Sequence, residues 1–298
     1  MDATKNTTQE YPHLDRLARE QGIAPETLVR VFLIERDFHR KILATDSPED
    51  RGRQYHELYT EVYRLQVAGA QGEVREASPA VYARLVLTFR RELENRSILE
   101  LGCGDGIFLD QVARLLPHGE LCGLDTSDVT LPQEHDAIRF LRRDVVSFAV
   151  DRDFDVVFSH QVLEHIAPAD IRDHFQSIRA ALVDRGKFIA ILPNRYWGPQ
   201  DITRIVDNTY SGRVPAQGSH LNESSYSELK PQLEAAGFRN IRTILPFAHY
   251  LPLLRDLRVR PRLNCFIERH PAVRHIANRV QSHGRPVFKN PVVLIAEK

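Results

Sequence analysis

From Arg96 onward the sequence alternates short apolar runs with amphipathic segments, and this alternation limits the possible folds more than any other feature. The apolar runs are SILEL, GELCGLD, IRFLRRD, FDVVFSH, GKFIAILPN, FRNIRTILPF and NPVVLIAEK. Helical patterns such as IFLDQVARLL, PADIRDHFQSIRAAL and YSELKPQLEAAG lie between them. Near-continuous apolar strands that alternate with helices indicate a mostly parallel sheet covered on both faces. The sequence therefore predicts a doubly wound α/β fold with a seven-stranded sheet.

The chain before this sheet has a helical pattern. The segments PETLVRVFLIERDFHRKILATD, SPEDRGRQYHELYTEVYRLQ and SPAVYARLVLTFRREL each carry apolar residues at helical spacing or a helix start signal. We therefore expect an N-terminal helical cap region over residues 1–94 and an α/β domain over residues 95–298. The stretch of about 248–288 interrupts the alternation with Arg, His and Pro, and it predicts a helical insertion before the last strand.

Composition and charge narrow the class of protein. Lys plus Arg and Asp plus Glu both number 40, so the net charge is zero, which makes nucleic acid an unlikely general partner. Three scattered cysteines, Cys103, Cys122 and Cys265, do not form a disulfide framework and fit a reducing compartment. The polar N-terminus is no signal peptide, and no apolar run has the length of a membrane span. These features predict a cytoplasmic protein.

The stretch SILELGCGDGIFLDQVARLL places three glycines between a strand and a helix. Gly102, Gly104 and Gly106 have the spacing GxGxG, whereas a dinucleotide-binding turn requires GxGxxG and Ile107 occupies the place of its third glycine. A phosphate-binding P-loop would need Lys followed by Ser or Thr, and neither is present. Glycines permit close approach of a ligand to the backbone. A tight turn without a ligand also remains open from this stretch alone.

Two acids follow at the ends of the next two predicted strands. Asp125 ends LCGLD, where an acidic side chain can accept both hydroxyls of a ribose. Asp144 ends IRFLRRD and precedes Val145, so a side-chain acceptor and a backbone N–H could together contact the edge of an adenine. Each acid by itself could equally be a turn residue or a helix cap.

These stretches together with FDVVFSHQVLEHI resemble the class I S-adenosylmethionine-dependent methyltransferases. ELGCGDG is similar to the first motif of that family, RDVV to its adenine-side motif, and VLEHI to the motif after the fourth strand. LVDRGKFIAILPN resembles the turn and fifth strand that follow. The resemblance covers roughly residues 96–247 and the final strand VVLIAEK. It implies a Rossmann-like methyltransferase fold and S-adenosylmethionine as the cofactor.

The resemblance also implies which residues surround the cofactor. They are Glu100, Gly102, Gly104 and Gly106 near the methionine part, Asp125 and Thr126 at the ribose, Asp144 and Val145 at the adenine, and the backbone at Ser159 and His160 facing the sulfonium.

A base is needed when the acceptor arrives protonated. His160, His165 and His220 are the candidates, because histidine titrates near neutral pH. QVLEHI also resembles the ExxEH metal site of small-RNA 3′-terminal 2′-O-methyltransferases and ubiquinone-pathway O-methyltransferases. Here Gln161 replaces the first carboxylate, which weakens a site for a hard cation, although His220 could complete a set with Glu164 and His165. We therefore predict no metal.

The sequence says less about the acceptor than about the cofactor. We expect methyl transfer to oxygen or nitrogen of a small molecule or a sugar- or lipid-linked intermediate. Tyr196 and Trp197, after the fifth predicted strand, could stack on an acceptor ring or only pack in a lid. The alternatives are an RNA 2′-O-methyltransferase, for which RDLRVRPRLNCFIERH is the one Arg-rich candidate, and a non-catalytic partner protein that retains the fold.

Overall fold

The computed structural model describes residues 10–69, 78–126, 135–245, 254, 256–279, 281–282, 285–286 and 291–298. Helices form the N-terminal part of the described chain: α1 (Leu14–Gln21), α2 (Pro25–Ala44), α3 (Pro48–Gly69), α4 (Pro79–Thr88) and α5 (Arg90–Leu93). Proline stands in the first turn of α2 and α4, where its missing N–H has no intrahelical partner. Among the described residues, no helix combines the length and apolar character needed to cross a bilayer.

The rest of the chain alternates strands and helices, as the sequence predicts. The elements are β1 (Ile98–Leu101), α6 (Ile107–Leu115), β2 (Leu121–Asp125), β3 (Ile138–Arg142), β4 (Phe154–His160), α7 (Ile171–Ala180), β5 (Leu182–Leu192), α8 (Tyr226–Ala235), β6 (Arg239–Ile244), β7 (Arg258–Val259), α9 (Arg262–Arg269), α10 (Pro271–Arg279), β8 (Gln281–Ser282), β9 (Arg285–Pro286) and β10 (Val292–Glu297). Short 3₁₀ turns span Leu163–His165, Arg195–Trp197 and Ile202–Ile205.

The strands form one sheet in the order β3-β2-β1-β4-β5-β10-β6-β7. The strands from β3 to β5 are parallel, whereas β10 runs antiparallel to both of its neighbours, β5 and β6. This arrangement confirms the predicted α/β fold with a mostly parallel sheet. The eighth strand, β7, has only two residues and carries no detectable strand pattern. The two-residue strands β8 and β9 pair separately.

Helices cover both faces of the sheet. Successive residues of a strand point to opposite faces, so one strand contributes to the cores on both sides. In β1, Leu99 packs into a core with α2, α3 and α7, whereas Ile98 packs into a second core with α4 and α6. All four residues of β1 are buried. The apolar strands seen in the sequence therefore lie between two helical layers, and their carboxyl ends meet at one edge of the sheet.

A buried ion pair fixes α3 over that edge. Arg51 of α3 forms a two-pronged contact with the carboxylate of Asp170, with 2.8 Å between Nε and Oδ2, and both side chains are almost fully buried. The hydroxyl of Tyr55, one turn further along α3, donates to Asp170 and accepts from the backbone N–H of Ala167. Because a broken buried pair leaves an uncompensated charge, these contacts hold α3 strongly in place.

Candidate active site

A cavity of about 300 Å³ lies where β1, β2, β3 and β4 end, beneath α3. Ligands collect at this edge of open α/β sheets. Its lining is predominantly apolar and comes from the glycine turn, the two acidic loops, the loop after β4 and one face of α3: Tyr55, Tyr59, Val62, Tyr63, Gly102, Gly104, Asp125, Thr126, Asp144, Val145, Val146, Gln161, Val162, His165 and Ile166. The structure thus brings six of the residues predicted to bind the cofactor onto one cavity wall.

The three glycines of the turn have different roles. A Cβ on Gly102 would lie 2.5 Å from Cγ2 of Val162, and the φ of Gly102 is +64°. A Cβ on Gly104, with φ +51°, would meet no protein atom within 4 Å, so this glycine opens toward the cavity. Gly106 precedes α6, and a Cβ there would lie 2.6 Å from the Phe140 ring. Gly106 does not line the cavity. Its contact with the cofactor stays a prediction, and the structure shows close packing of this glycine on β3.

Each of the two acids accepts a hydrogen bond from the backbone of a turn at this edge of the sheet. Oδ2 of Asp125 accepts the backbone N–H of Gly104 at 2.9 Å, so the carboxylate at the end of β2 fixes the glycine turn. Oδ1 of Asp144 accepts the N–H of Val146 at 2.9 Å, and burial raises the pKa of Asp144. Both side chains line the cavity, with Thr126 and Val145 beside them.

Glu100 lies in β1 just before the glycine turn, and it is almost fully buried. Its Oε2 has no hydrogen-bond partner among the described residues. Burial, with the nearby charge of Asp125, raises its pKa well above the ordinary value. A buried carboxyl without a partner is costly. The α-ammonium group of S-adenosylmethionine is a donor that would satisfy it, so the residues present fit this part of the cofactor.

Ser159 and His160 do not line the cavity. Ser159 is buried in β4, and the His160 ring packs edge-on against Tyr82 of α4, with 6.0 Å between ring centroids. Burial lowers the pKa of His160 to about 4. Strand β4 extends through His160, so the side chains of Ser159 and His160 point to opposite faces of the sheet. The next two residues, Gln161 and Val162, contact the cavity instead.

A second group of polar residues borders this cavity. Glu164 and His165, in the 3₁₀ turn after β4, meet His220, and one ligand-type atom from each lies within 4.8 Å of the others. The rings of His165 and His220 are nearly perpendicular, with centroids 4.8 Å apart. Glu164 is fully buried, and neither of its carboxylate oxygens has a hydrogen-bond partner among the described residues. We refer to Glu164, His165 and His220 as the Glu-His-His cluster.

Backbone hydrogen bonds bring these distant residues together. The carbonyl of Glu164 accepts the N–H groups of Leu221 and Asn222 at 2.7 and 2.9 Å. On the other side of the segment, Oε2 of Glu35 in α2 accepts the N–H of Ser219 at 2.7 Å. Asp201 accepts the N–H of Gly218 at 2.8 Å. The segment that carries His220 is therefore held between the loop after β4 and the N-terminal helices.

Neighbouring groups orient both imidazole rings. Nδ1 of His165 lies 3.1 Å from the carbonyl of Ser219, which can only accept, so Nδ1 donates and Nε2 keeps a lone pair. Nδ1 of His220 donates to the carboxylate of Glu223 at 2.8 Å. His165 lines the cavity, whereas Glu164 and His220 lie behind it.

The pKa shifts give the two histidines of the cluster different charges. Burial lowers the pKa of His220, but its hydrogen bond with Glu223 and the charges of Glu164 and Asp201 outweigh burial and raise the pKa to about 9. Burial raises the pKa of Glu164 to about 7. Burial, with the charge of His220, lowers the pKa of His165 to about 3. At neutral pH, His220 is therefore an imidazolium and His165 is neutral.

The same donor set has the chemistry of a transition-metal site. Two imidazoles and one carboxylate suit Zn²⁺, Mn²⁺ or Fe²⁺ better than Mg²⁺ or Ca²⁺. The contacts of His220 with Glu223 and of His165 with a carbonyl are of the kind that orient metal-binding histidines. Gln161, which replaces a carboxylate, lines the cavity. The absence of a metal stays a prediction.

Tyr196 and Trp197, predicted either to stack on an acceptor ring or to pack in a lid, are not among the residues that line the cavity. The side chain of Trp197 is buried, and the guanidinium of Arg274 lies 4.3 Å from the centre of the Tyr196 ring. Both residues pack the 3₁₀ turn after β5 against neighbouring elements. The aromatic wall comes from α3, where Tyr55, Tyr59 and Tyr63 recur every four residues and face the cavity.

The sheet order, the glycine turn after β1 and the acids after β2 and β3 define a class I S-adenosylmethionine-dependent methyltransferase. Residues 74–243 match the model of a family described as a methyltransferase domain. The match spans more than half of the chain, and the protein belongs to this family. No curated protein sequence matches the chain.

Solved structures agree on the fold. A SAM-dependent methyltransferase from Archaeoglobus fulgidus is 17% identical, with a TM-score of 0.51 and coverage of 80% of this chain and 100% of the other. Phosphoethanolamine N-methyltransferase 2 of Haemonchus contortus, solved with phosphomonomethylethanolamine and S-adenosylhomocysteine, is 14% identical, with a TM-score of 0.51 and coverage of 83% and 60%. The protein is thus a SAM-dependent methyltransferase.

Proposed function

We propose that the protein methylates a hydroxyl group of a small, largely apolar acceptor that binds beneath α3. The observation that carries this proposal is the position of His165: its ring lines the cofactor cavity, with a carboxylate and a second histidine directly behind it. The tyrosines of α3 and the aliphatic side chains of Val62 and Ile166 offer the acceptor an apolar surface. A sugar- or lipid-linked alcohol with an apolar part fits the same description.

The residues around the cavity hold the cofactor by its different parts. In this proposal Asp125 accepts the ribose hydroxyls, Asp144 and Val145 flank the adenine, and Glu100 accepts from the ammonium group. Gly104 leaves room for the methionine chain. S-adenosylmethionine supplies a methyl group already activated by a positive sulfur, so the protein mainly has to align the acceptor and exclude water.

His165 takes the acceptor proton in this proposal. Its Nε2 has a lone pair, and the hydrogen bond from Nδ1 to Ser219 fixes the ring. The low pKa makes His165 a weak base in the resting protein. The carboxylate of Glu164 would stabilise the imidazolium as it forms, because the two side chains belong to one buried cluster. Proton loss from the hydroxyl accompanies attack on the methyl carbon, so the base need not form a free alkoxide.

The cavity does not support RNA methylation. Among the described residues that line it, there is no Lys or Arg to contact a phosphate backbone. Among the described arginines of RDLRVRPRLNCFIERH, Arg260, Arg262 and Arg269 line a different groove beside α9, and Arg258 is paired with Glu92.

Substitution of His165 tests the proposal. The assay follows labelled methyl transfer from S-adenosylmethionine to a panel of phenols and apolar alcohols, with calorimetric titration of S-adenosylhomocysteine alongside. We expect His165→Gln to reduce kcat by roughly 100-fold or more, in the range for a lost general base, with unchanged S-adenosylhomocysteine affinity. His118→Gln, on an exposed loop histidine, serves as the control. Turnover by His165→Gln at the wild-type rate would refute the role of His165. Failure of the wild-type protein to bind S-adenosylhomocysteine would favour the non-catalytic alternative.

One observation favours a second role for the same cluster, which is cation binding. Both oxygens of buried Glu164 lack a partner among the described residues, and a divalent cation would satisfy them together with Nε2 of each histidine. Treatment with a chelator separates the two roles. Unchanged turnover after chelation supports proton transfer by His165 alone, whereas loss of turnover and its recovery with Mn²⁺ or Zn²⁺ would assign the cluster to a metal.

A further inference from the structure

Helix α9 buries two polar side chains and exposes two large apolar ones. Asn264 and Glu268, one turn apart, are both about 1% exposed, whereas Leu263 and Phe266 are 47% and 52% exposed. The burial of Glu268 has a structural cause: its carboxylate accepts the N–H groups of Tyr226 and Ser227 at the start of α8. The apolar face of α9 is consequently left at the surface.

Helix α10, which follows α9 directly in the chain, also exposes apolar side chains. Val273 and Ile276 are one turn apart and exposed, Ile276 by 65%. Including Leu257, five of the ten large apolar side chains that are exposed in the described chain lie between residues 257 and 276. Such a concentration is not expected of a surface that faces only water. We call Leu257, Leu263, Phe266, Val273 and Ile276, with the arginines among them, the α9–α10 surface.

The charge of this surface has one sign. Residues 256–279 include six arginines, of which Arg258 is paired with the buried Glu92, and only two acids, Asp256 and Glu268. Glu268 is buried, so Asp256 is the only acid of this segment that reaches the solvent. A groove of about 660 Å³ next to α9 is lined by Arg242, Arg260, Arg262, Arg269 and Lys230, with Phe266 among its lining residues. Its one acid, Glu234, is paired with Lys230.

From this combination we infer that the α9–α10 surface binds to an anionic phospholipid bilayer. Exposed Leu, Phe and Ile side chains can enter the interfacial region, while arginines beside them bind lipid phosphates. A second copy of the chain fits poorly, because a two-fold symmetric contact would place arginines against arginines. Nucleic acid would use the arginines but would leave the apolar side chains without a role. The inference is independent of the acceptor proposed above.

Vesicle sedimentation of the full chain tests this inference. We expect the protein to bind vesicles of phosphatidylcholine mixed with phosphatidylglycerol at least about tenfold more tightly than vesicles of phosphatidylcholine alone, and to dissociate as salt is raised. Phe266→Ser combined with Ile276→Ser should weaken binding about tenfold or more, because two inserting side chains are lost. Arg262→Gln combined with Arg269→Gln should weaken binding to anionic vesicles by a similar factor.

The control is Leu115→Ser, which removes an exposed leucine at the end of α6, away from the surface. It should bind vesicles as the wild type does. All of the substituted side chains are exposed, and an unchanged melting temperature checks that each variant is folded. Absence of binding to anionic vesicles, equal binding by the Phe266→Ser/Ile276→Ser variant, or tighter binding to a single-stranded RNA oligonucleotide would each overturn the inference. If the wild type forms a dimer and the Phe266→Ser/Ile276→Ser variant is a monomer, the surface would be assigned to contact with a second copy instead.

Discussion

At the residue scale, Gly102 and Gly104 allow fold and cofactor binding to be separated. Gly102→Ala places a methyl group 2.5 Å from Val162, so we expect a loss of about 2 kcal/mol or more in unfolding free energy. Gly104→Ala meets open space, so we expect a loss of only about 1 kcal/mol from its positive φ. The added methyl group would enter the cavity and weaken S-adenosylhomocysteine binding at least about tenfold. Denaturant unfolding and calorimetric titration measure the two effects. Wild-type affinity in Gly104→Ala would show that the cofactor does not pass this glycine.

The predicted site residues that line this cavity owe their positions to local geometry. Gly102, Gly104, Asp125 and Asp144 each lie at or just after the end of a strand, and parallel strands bring such residues to one edge. Gly106 and His160 do not line the cavity, because each packs against a residue of another element. Phe140 of β3 and Tyr82 of α4 pack against them, and no motif around Gly106 or His160 specifies those partners.

At the element scale, the position of α3 over the cavity depends on the Arg51–Asp170 pair. We expect Arg51→Met to lose about 3–5 kcal/mol of unfolding free energy, because it leaves the Asp170 carboxylate buried without its cation. Arg53→Met, two residues along on the exposed side of α3, should lose less than about 1 kcal/mol. The double variant Arg51→Met/Asp170→Leu should recover most of the loss. Equal losses in Arg51→Met and Arg53→Met, measured by urea unfolding, would contradict this account.

Helix α2 adds a pH-dependent contact. Burial and the charge of Asp201 raise the pKa of Glu35 from 4.5 to about 7, so the folded state favours the protonated carboxyl. The stability that this proton contributes is complete below pH 4.5 and is lost as the pH rises through 7. Glu35→Gln lacks this dependence. As the pH rises from 4.5 to 8, we expect the wild type to lose up to about 3 kcal/mol of unfolding free energy relative to Glu35→Gln.

Thermal unfolding of both proteins at several pH values measures this shift. A constant difference across the range would show that Glu35 does not change its protonation state on folding.

The elements themselves were more predictable than their contacts. Helical spacing and a helix start signal predicted α3, and its YHELYTEVYRL stretch supplies the tyrosines that line the cavity. The contact of Glu35 with Ser219 joins residues 184 positions apart, and neither residue belongs to a motif. The Ser225–Glu228 capping box, a purely local device, occurs at the start of α8 as its sequence pattern indicates.

At the scale of the whole molecule, the site combines the carboxyl ends of the strands with the N-terminal helices and the loop that carries His220. The parallel strands carry residues that line the cavity, the N-terminal helices cover them, and the segment around His220 completes the cluster behind His165. Apolar alternation predicted the class of fold because it reflects burial on both faces. It could not predict that Glu164 and His220 would meet, since backbone hydrogen bonds across 57 residues bring them together.

A crystal structure with S-adenosylhomocysteine bound tests the central claim most directly. The account predicts the adenine beside Asp144 and Val145, the ribose hydroxyls on Asp125, and the amino group within hydrogen-bond distance of Glu100. It also predicts that the sulfur faces the space between Tyr59 and His165, where the acceptor would receive the methyl group. A sulfur atom that faces away from His165, or binding outside this cavity, would contradict the account.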